Sequence, residues 1–164
     1  MVSSLEDVVH TKLVLNLTNS FTTLIGHTLR PVSSMDLVQR TLSGLLREGV
    51  EVVREAGFKE HKIPGLPSWT LIRLSATLPP WLTRGLFRRN LAKMVISSMA
   101  QDVIVRGRPD TELDSINGYL VRLADEHGVK APVNRAVYAI CAREFARPGF
   151  EPMDVAEVWR QIQG

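Results

Sequence analysis

Four polar side chains recur on one side of an otherwise apolar segment near the start of the chain. In TKLVLNLTNSFTTLIG, residues 11–26, a helix would place Lys12, Asn16, Asn19 and Thr23 at about 0°, 40°, −20° and 20° around its axis. A lysine supplies a positive charge and a proton, and amides both donate and accept hydrogen bonds. Such a strip suits a small ligand that bears carbonyl, carboxylate or hydroxyl groups.

The same spacing is typical of the solvent-exposed face of an amphipathic helix, and periodicity alone favours that simpler interpretation. Most other side chains of the segment are apolar, however, which predicts that this helix is buried. A buried strip of lysine and amides requires a polar partner. Periodicity therefore leaves two interpretations open, a strip that faces a ligand and a strip that faces water.

A second polar cluster lies in SSMAQDVIVRGRPDTELDSINGYL, residues 97–120. Thr111 and Asp114 have the spacing of a capping box, and Glu112 would sit in the first helical turn, where the helix dipole favours an acid. Ser97 and Ser98 are predicted to lie within a helix, with hydroxyls bonded back to the preceding turn. Gly118 costs about 1 kcal/mol relative to alanine inside a helix, which predicts that another backbone packs closely against it.

The elements that must position these groups are helices, because periodicities near 3.6 residues recur along the whole chain. The sequence predicts an all-α fold in a single domain, residues 1–164. A Pro/Gly-punctuated loop is expected at 61–69 and a turn at 107–110. The predicted helices span about 5–28, 33 or 34–56, 69–78, 81 or 90–105, 112–127, 132–145 and 153–162.

Composition and charge exclude several classes of function. The 164 residues are 45% hydrophobic and 23% charged, with a net charge of +3, as in ordinary globular proteins. The sequence has no G-x-G-x-x-G or phosphate-loop motif, and its four histidines are scattered, so we expect no nucleotide site and no metal. A lone cysteine, Cys141, and acidic residues at the start favour a cytoplasmic protein without a membrane partner.

Taken together, four motifs resemble the C-terminal domain of the ketopantoate reductase (2-dehydropantoate 2-reductase) family over roughly residues 8–147. They are Lys12-Leu13 with Asn16, Ser97-Ser98-Met99 with Gln101-Asp102, Gly107 through Gly118, and Gly128-Val129 with Pro132 and Asn134. The resemblance implies a multi-helix bundle of the 6-phosphogluconate-dehydrogenase C-terminal type, and the helix predicted from periodicity at 153–162 is an addition beyond it. It further implies reduction of a 2-keto acid by NADPH, on the route to pantothenate.

The resemblance also implies roles for individual residues. Lys12 matches the catalytic lysine, which polarises the ketone and donates a proton to it. Asn16 and Ser98 match substrate contacts, and Glu112 matches the acid near the substrate and the nicotinamide ribose. The family often has a second asparagine where this chain has Ser20, and Asn19, on the face of Lys12, is expected to replace it. The cofactor-binding Rossmann half has no counterpart in these residues.

Three hypotheses follow for the chain. It is the substrate-side half of a keto-acid reductase, inactive without a separate Rossmann partner, or a stand-alone ligand-binding or dimerisation module of that descent. We expect a homodimer in either case. The third hypothesis, binding to nucleic acid or to a membrane surface, rests on a basic amphipathic segment. Its basic residues are Arg73, Arg84, Arg88, Arg89 and Lys93. A solvated face is the simpler interpretation of that segment, so neither partner is expected.

Overall fold

The computed structural model describes residues 4–27, 29–91, 96–107 and 111–164, and the regular elements in these ranges are all helical. The helices are α1 (Leu5–Asn16), α2 (Thr18–Leu24), α3 (Met35–Glu55), α4 (Trp69–Thr77), α5 (Pro80–Leu91), α6 (Ser98–Ala100), α7 (Tyr119–Glu126), α8 (Pro132–Phe145) and α9 (Val155–Gln163). Two π-helical turns, Gln101–Val105 and Asp114–Gly118, follow α6 and precede α7. The all-α prediction is confirmed. Among the described helices, none combines the length and apolarity needed to cross a membrane.

Helices α3 and α8 form where the sequence predicts them. The Ser34 hydroxyl accepts from the Leu37 amide at 3.4 Å and caps α3, and Gly57 lies past its end with φ at +91°. Pro132 is the first residue of α8. The backbone N–H at this position has no acceptor within a helix, so a proline, which lacks it, loses no hydrogen bond. These boundaries follow from local chemistry that the sequence displays directly.

The predicted helix over 5–28 is wrong in its continuity, because it is divided at Leu17. The Leu17 carbonyl accepts a hydrogen bond from the Ser20 hydroxyl at 3.1 Å and from the Asn117 side-chain amide at 3.3 Å. The Thr18 and Thr22 hydroxyls also bond to carbonyls of the preceding turn, a type of bond that bends helices. Residue 28, the predicted end, lies outside the described residues.

The predicted helix reaching residue 105 is also wrong, because α5 ends at Leu91 and a new helix begins at Ser98. The Ser97 hydroxyl accepts from the Ala100 amide at 3.1 Å, so Ser97 is an N-cap. The expectation that Ser97 and Ser98 sit mid-helix is corrected accordingly. Residues 92–95, which include Lys93, lie outside the described residues.

The predicted helix over 112–127 begins with the π-helical turn Asp114–Gly118 in place of regular α-helix. The expected capping box is not made: the Thr111 hydroxyl accepts from the Leu113 amide at 3.2 Å, and the Asp114 carboxylate accepts from the Tyr138 hydroxyl at 2.6 Å. The neighbour of Gly118 is a side chain and not a backbone, since a Cβ there would lie 3.2 Å from the Tyr138 ring. Of the predicted turn at 107–110, Gly107 has φ at +62°, and 108–110 lie outside the described residues.

Helix α3 contributes to two apolar clusters that hold the described helices together. Its Leu45 packs with Phe21 and Val137 in the first cluster, and its Val50 packs with Leu120 in the second. Buried apolar area of this kind is the dominant favourable term in folding. Helix α3 is therefore the scaffold on which α1, α2, α7 and α8 are positioned.

A buried carboxylate on α3 also fixes the start of α8. The side chain of Glu48, 1% exposed, accepts from the backbone amides of Val133 at 3.1 Å and Asn134 at 3.0 Å. The Asn134 side-chain amide donates to the same carboxylate at 3.0 Å and to the Leu45 carbonyl at 3.1 Å. Glu48 thus caps α8 from a different helix and satisfies amides that would otherwise be unpaired.

Candidate functional site

The polar strip runs from solvent at one end to the protein interior at the other. Lys12 and Asn16 on α1 are exposed, Asn19 on α2 is half-buried, and Thr23 is fully buried. Of the two interpretations that the periodicity leaves open, exposure to water describes Lys12 and Asn16 in this chain by itself, whereas Thr23 is buried. The exposure of the strip therefore decreases from Lys12, which faces solvent, to Thr23, which lies in the protein interior.

At its buried end the strip meets the second polar cluster. The Thr23 hydroxyl lies 3.4 Å from the Ser97 hydroxyl, although 74 positions separate the two residues. Ser97 is the N-cap of α6, so Ser98, the next residue, is held at the first position of that helix with an exposed side chain. Two segments that the sequence analysis singled out independently are thus brought together.

A second contact ties the Glu112 segment to the same helices. Asn117, fully buried, donates from its side-chain amide to the Leu17 carbonyl at 3.3 Å, where α1 meets α2. Glu112 precedes the π-helical turn that carries Asn117, and its own carboxylate-bearing side chain is exposed. Its backbone carbonyl accepts from the Ser115 hydroxyl and the Ile116 amide, both at 3.0 Å. Hydrogen bonds therefore fix the backbone at Glu112, while its side chain is exposed to solvent.

The structure separates the two candidates for the second asparagine position. Ser20 is fully buried, donates to the Leu17 carbonyl, and accepts at its own carbonyl from the Cys141 thiol at 3.6 Å. Asn19 is only half-buried and shares the face of Lys12. Asn19 is thus accessible to a ligand on the strip, whereas Ser20 belongs to the core.

A cavity that the sequence analysis did not identify flanks the strip. It has a volume of about 400 Å³ and is lined by Thr11 and Leu15 of α1 and by the loop from Glu60 to Trp69. The Thr11 hydroxyl accepts from the His61 amide at 3.0 Å, and the Glu60 carboxylate accepts from the Trp69 amide at 2.9 Å, which fixes the loop. The volume is in the range of small-molecule sites. The only signal in the sequence is the Pro/Gly punctuation of this loop.

The lone cysteine and the potential metal ligands of the described residues form no alternative site. The Cys141 thiol is fully buried, and burial raises its pKa far above the ordinary value, so it is not a nucleophile. Within the described ranges, no three His, Cys, Asp or Glu side chains are grouped so as to hold a metal ion. The strip and its two contacts to the second cluster remain the arrangement best able to bind a polar ligand.

Comparisons with known proteins place the chain in a family. The family model described as ketopantoate reductase PanE/ApbA C terminal matches residues 4–144. A 2-dehydropantoate 2-reductase from Vibrio cholerae serotype O1 (strain ATCC 39315 / El Tor Inaba N16961) is 56% identical over 43 residues, which cover 26% of this chain and 14% of that protein.

A solved structure has the same fold. The crystal structure of a PanE/ApbA family ketopantoate reductase from Ralstonia eutropha JMP134, at 2.15 Å resolution, aligns with a TM-score of 0.57 and 22% identity. The alignment covers 99% of this chain and 44% of that one. The chain therefore spans less than half the length of the relatives it matches.

Proposed function

Because the chain belongs to the ketopantoate reductase PanE/ApbA C-terminal family, we propose that it is the substrate-side helical domain of a 2-keto acid reductase. It would act together with a nucleotide-binding domain and would not turn over substrate alone. The observation that supports this most directly is the contact of Thr23 with Ser97, because it joins the strip of Lys12 to the segment of Ser98.

Lys12 is the residue proposed to act on the reacting carbonyl. Its exposed ammonium group can donate a hydrogen bond to a ketone oxygen and polarise the bond. It can then transfer a proton to that oxygen as negative charge develops on it. The hydroxy acid product leaves with this proton, and the ammonium group is restored from solvent.

The remaining strip and cluster residues are proposed to position the substrate. Asn16 lies about 6 Å further along the helix than Lys12 and Asn19 about 10 Å, so both amides can contact the carboxylate or hydroxyl groups of a small keto acid. Ser98 offers an exposed hydroxyl near the buried end of the strip. Glu112 offers an acceptor for a hydroxyl of the substrate or of the nicotinamide ribose.

The cofactor of the reaction is proposed to be NADPH, which supplies the hydride when it is bound. The described part of this chain does not fit a dinucleotide, because it contains no strand and the sequence has no glycine-rich fingerprint. Apart from one ribose contact proposed for Glu112, the cofactor would be held by the nucleotide-binding domain.

Binding of ketopantoate to the isolated chain tests the substrate assignment. In an NMR titration, the amide signals of Lys12, Asn16 and Asn19 should shift, and Lys12→Ala should abolish those shifts. Lys130→Ala, which removes an exposed lysine away from both the strip and the neighbouring cavity, is the matched control. Shifts confined to other surfaces, or shifts unchanged by Lys12→Ala, would refute the assignment.

Activity tests the reductase assignment separately. With the nucleotide-binding domain supplied on the same or on a second polypeptide, NADPH oxidation should require ketopantoate or a related 2-keto acid. Lys12→Ala should lower kcat by about 10²-fold or more. If the chain bound the keto acid but never supported NADPH oxidation, the reductase assignment would be rejected. The second candidate, a non-enzymatic binding module, would then be retained.

Exposed apolar side chains at the start of α1 support a contact surface there, whether the chain is a reductase domain or a binding module. Leu5 and Val9 are 79% and 53% exposed and share the face of Lys12. An exposed apolar face is typical of an interface. We infer that the nucleotide-binding domain covers it, and that in its absence two copies of the chain associate there. Sedimentation velocity over a concentration series measures this association, and Val9→Ser should weaken it.

A further inference from the structure

One stretch of the chain carries only positive charge. Residues 61–101 contain six Lys and Arg side chains and no Asp or Glu, whereas the rest of the chain contains 14 basic and 17 acidic residues. This stretch includes α4 and α5, and the reductase role proposed above uses only Ser98 from it. So long a stretch without an acid produces a local positive potential and favours an anionic partner.

The inner faces of α4 and α5 are fixed against the rest of the protein. Trp69 and Ile72 of α4 and Leu91 of α5 are at most 5% exposed. The Gln39 side-chain amide donates to the Thr83 hydroxyl at 2.5 Å, and Arg84 forms an ion pair with Asp36 at 2.6 Å. The opposite faces of the two helices are therefore held outward in a defined orientation.

The outer faces carry large apolar side chains where α4 passes into α5. Trp81 is 72% exposed, and Leu74 and Leu82 are each 56% exposed. Leu71 and Leu78 add to the same surface at 47% and 38%. On α5, the exposed Arg88 and Arg89 share the side of the helix that carries Trp81 and Leu82, whereas Arg73 lies on the flank of α4 beside Trp69. We call the five apolar residues, together with Arg88 and Arg89, the α4–α5 surface.

We propose that the α4–α5 surface binds the face of an anionic lipid bilayer. Trp81 and the leucines enter the boundary between headgroups and acyl chains, where tryptophan is favoured. Arg88 and Arg89 contact lipid phosphates at the level of the headgroups. The binding is peripheral, and it is independent of the proposed reductase role.

Charge and shape favour a lipid surface over other occupants. A second copy would bring two surfaces of the same sign together, which opposes association. Surfaces that bind nucleic acid are polar and strongly basic, whereas most of this surface is apolar, with Trp81 and four leucines exposed. An apolar surface bordered by arginines has the amphipathic pattern of helices that lie in a membrane interface. This departs from the expectation that the basic segment is simply a solvated face.

Sedimentation with vesicles tests the proposal on the isolated chain. The chain should pellet with vesicles of phosphatidylcholine and phosphatidylglycerol at three to one, and much less with phosphatidylcholine alone. Binding should fall steeply between about 0.05 M and 0.5 M salt, because screening shortens the range of the charges. Equal binding to both vesicle types, or no binding at low salt, would overturn the proposal.

Paired variants identify the surface. Arg88→Gln with Arg89→Gln should weaken binding to the anionic vesicles by about 25-fold, at about fivefold for each charge. Trp81→Ser with Leu82→Ser should weaken it by about tenfold or more without changing the net charge. The control is Arg122→Gln with Arg160→Gln, which removes the same charge from exposed positions on α7 and α9. If the control weakened binding as much as the first pair, general charge attraction would explain the result and the proposal would fail.

Folding is checked by circular dichroism and by the Tm of each variant. Because Trp81 and Leu82 are exposed, their replacement should leave both unchanged. Competition with a short acidic peptide or with DNA, each added at the same total charge, tests whether the α4–α5 surface binds a protein or a nucleic acid in preference to lipid. Displacement of the chain from vesicles by either competitor at low concentration would contradict a lipid-specific surface.

Discussion

Asn117 donates a hydrogen bond to the carbonyl of Leu17 across 100 positions of sequence, at a distance of 3.3 Å. The bond connects the segment of Glu112 to the junction of α1 and α2. The other amide atom, Oδ1, is buried and has no partner among the described residues. The contact therefore stabilises the relative position of the two halves of the candidate site at the cost of one unmade hydrogen bond.

Asn117→Ala should lower the free energy of unfolding by about 1–2 kcal/mol, because a buried hydrogen bond and its packing are lost. Urea denaturation monitored by circular dichroism measures the change. Ser115→Ala, on the same turn but exposed, should change the free energy by less than about 0.5 kcal/mol. Equal effects of the two substitutions would contradict a positioning role for Asn117.

Glu48→Ala should be the more damaging substitution, with a loss of about 2–3 kcal/mol. It leaves the Val133 and Asn134 amides without their acceptor inside the protein. Glu51→Ala on the same helix removes only a solvent-exposed pair with Arg47 at 3.6 Å, and should cost less than about 1 kcal/mol. Denaturant midpoints for both variants provide the comparison. If Glu48→Ala hardly changed the free energy of unfolding, water would have to accept the hydrogen bonds of these amides in its place.

Two helical glycines should respond to alanine with opposite signs. A Cβ at Gly49 would lie 2.4 Å from the Leu17 Cδ1 atom, whereas nothing lies within 4 Å of one at Gly85. Gly49→Ala should therefore destabilise the protein by about 1–3 kcal/mol through overpacking. Gly85→Ala should stabilise it by up to about 1 kcal/mol through helix propensity.

A double-mutant cycle of Gly49→Ala with Leu17→Ala checks the cause of the first effect. The two substitutions should be strongly non-additive, because the truncated side chain makes room for the new methyl group. Additive effects would assign the loss to some other contact of Gly49.

Glu144 should make stability depend on pH. Burial raises the pKa of its carboxyl, but hydrogen bonds and charge from Arg143 and Arg147 outweigh burial, so the pKa is lowered overall. The ionised group therefore stabilises the fold above the ordinary glutamate pKa, and this contribution is lost as the pH falls below it. Glu144→Gln should cost about 1 kcal/mol at neutral pH, because the two arginines are largely exposed, and almost nothing in strong acid.

Unfolding curves at neutral and acidic pH measure that difference. Glu51→Gln serves as the control, with no pH-dependent change expected beyond that of an exposed ion pair. A Glu144→Gln deficit that persisted in acid would show that packing, and not ionisation, accounts for the effect.

Asn19→Ala and Ser20→Ala should separate binding from stability. In an active assembly, Asn19→Ala should raise the KM for the keto acid and leave the Tm unchanged. Ser20→Ala should lower the Tm and leave the KM unchanged, because its hydroxyl bonds only within the core. The reverse result would place the family's second asparagine contact at Ser20.

The sequence predicted elements whose signals are local. Helix α8 was predicted at 132–145, the range observed, because proline at its start and apolar residues at helical spacing are both visible in the sequence. The division at Leu17 was not predicted, since Asn117, which donates to the Leu17 carbonyl, is remote in the chain and local hydroxyl bonds such as that of Thr18 also occur in continuous helices. The cap at Ser97 was missed because the surrounding periodicity also fits a continuous helix.

Within the site, residue types were more predictable than their exposure. The shared face of Lys12, Asn16 and Asn19 follows from 100° per residue whether the face is covered or open. Whether it is covered depends on the helices and domains packed against it, and these are not encoded in the spacing. Gly118 illustrates the same limit, because close packing was correctly expected but its partner is the Tyr138 ring.

The π-helical turn at Asp114–Gly118 absorbs an extra residue between Glu112 and α7. Such a turn accommodates one residue more than an α-helical turn. Deleting a single residue there would restore regular α-helix while α7 kept its core contacts. Glu112 would keep its present direction, because either kind of turn completes one revolution, whereas a deletion in regular α-helix would rotate the preceding residues by about 100° around the helix axis. In this segment, the place at which a residue is lost determines whether the acid changes direction.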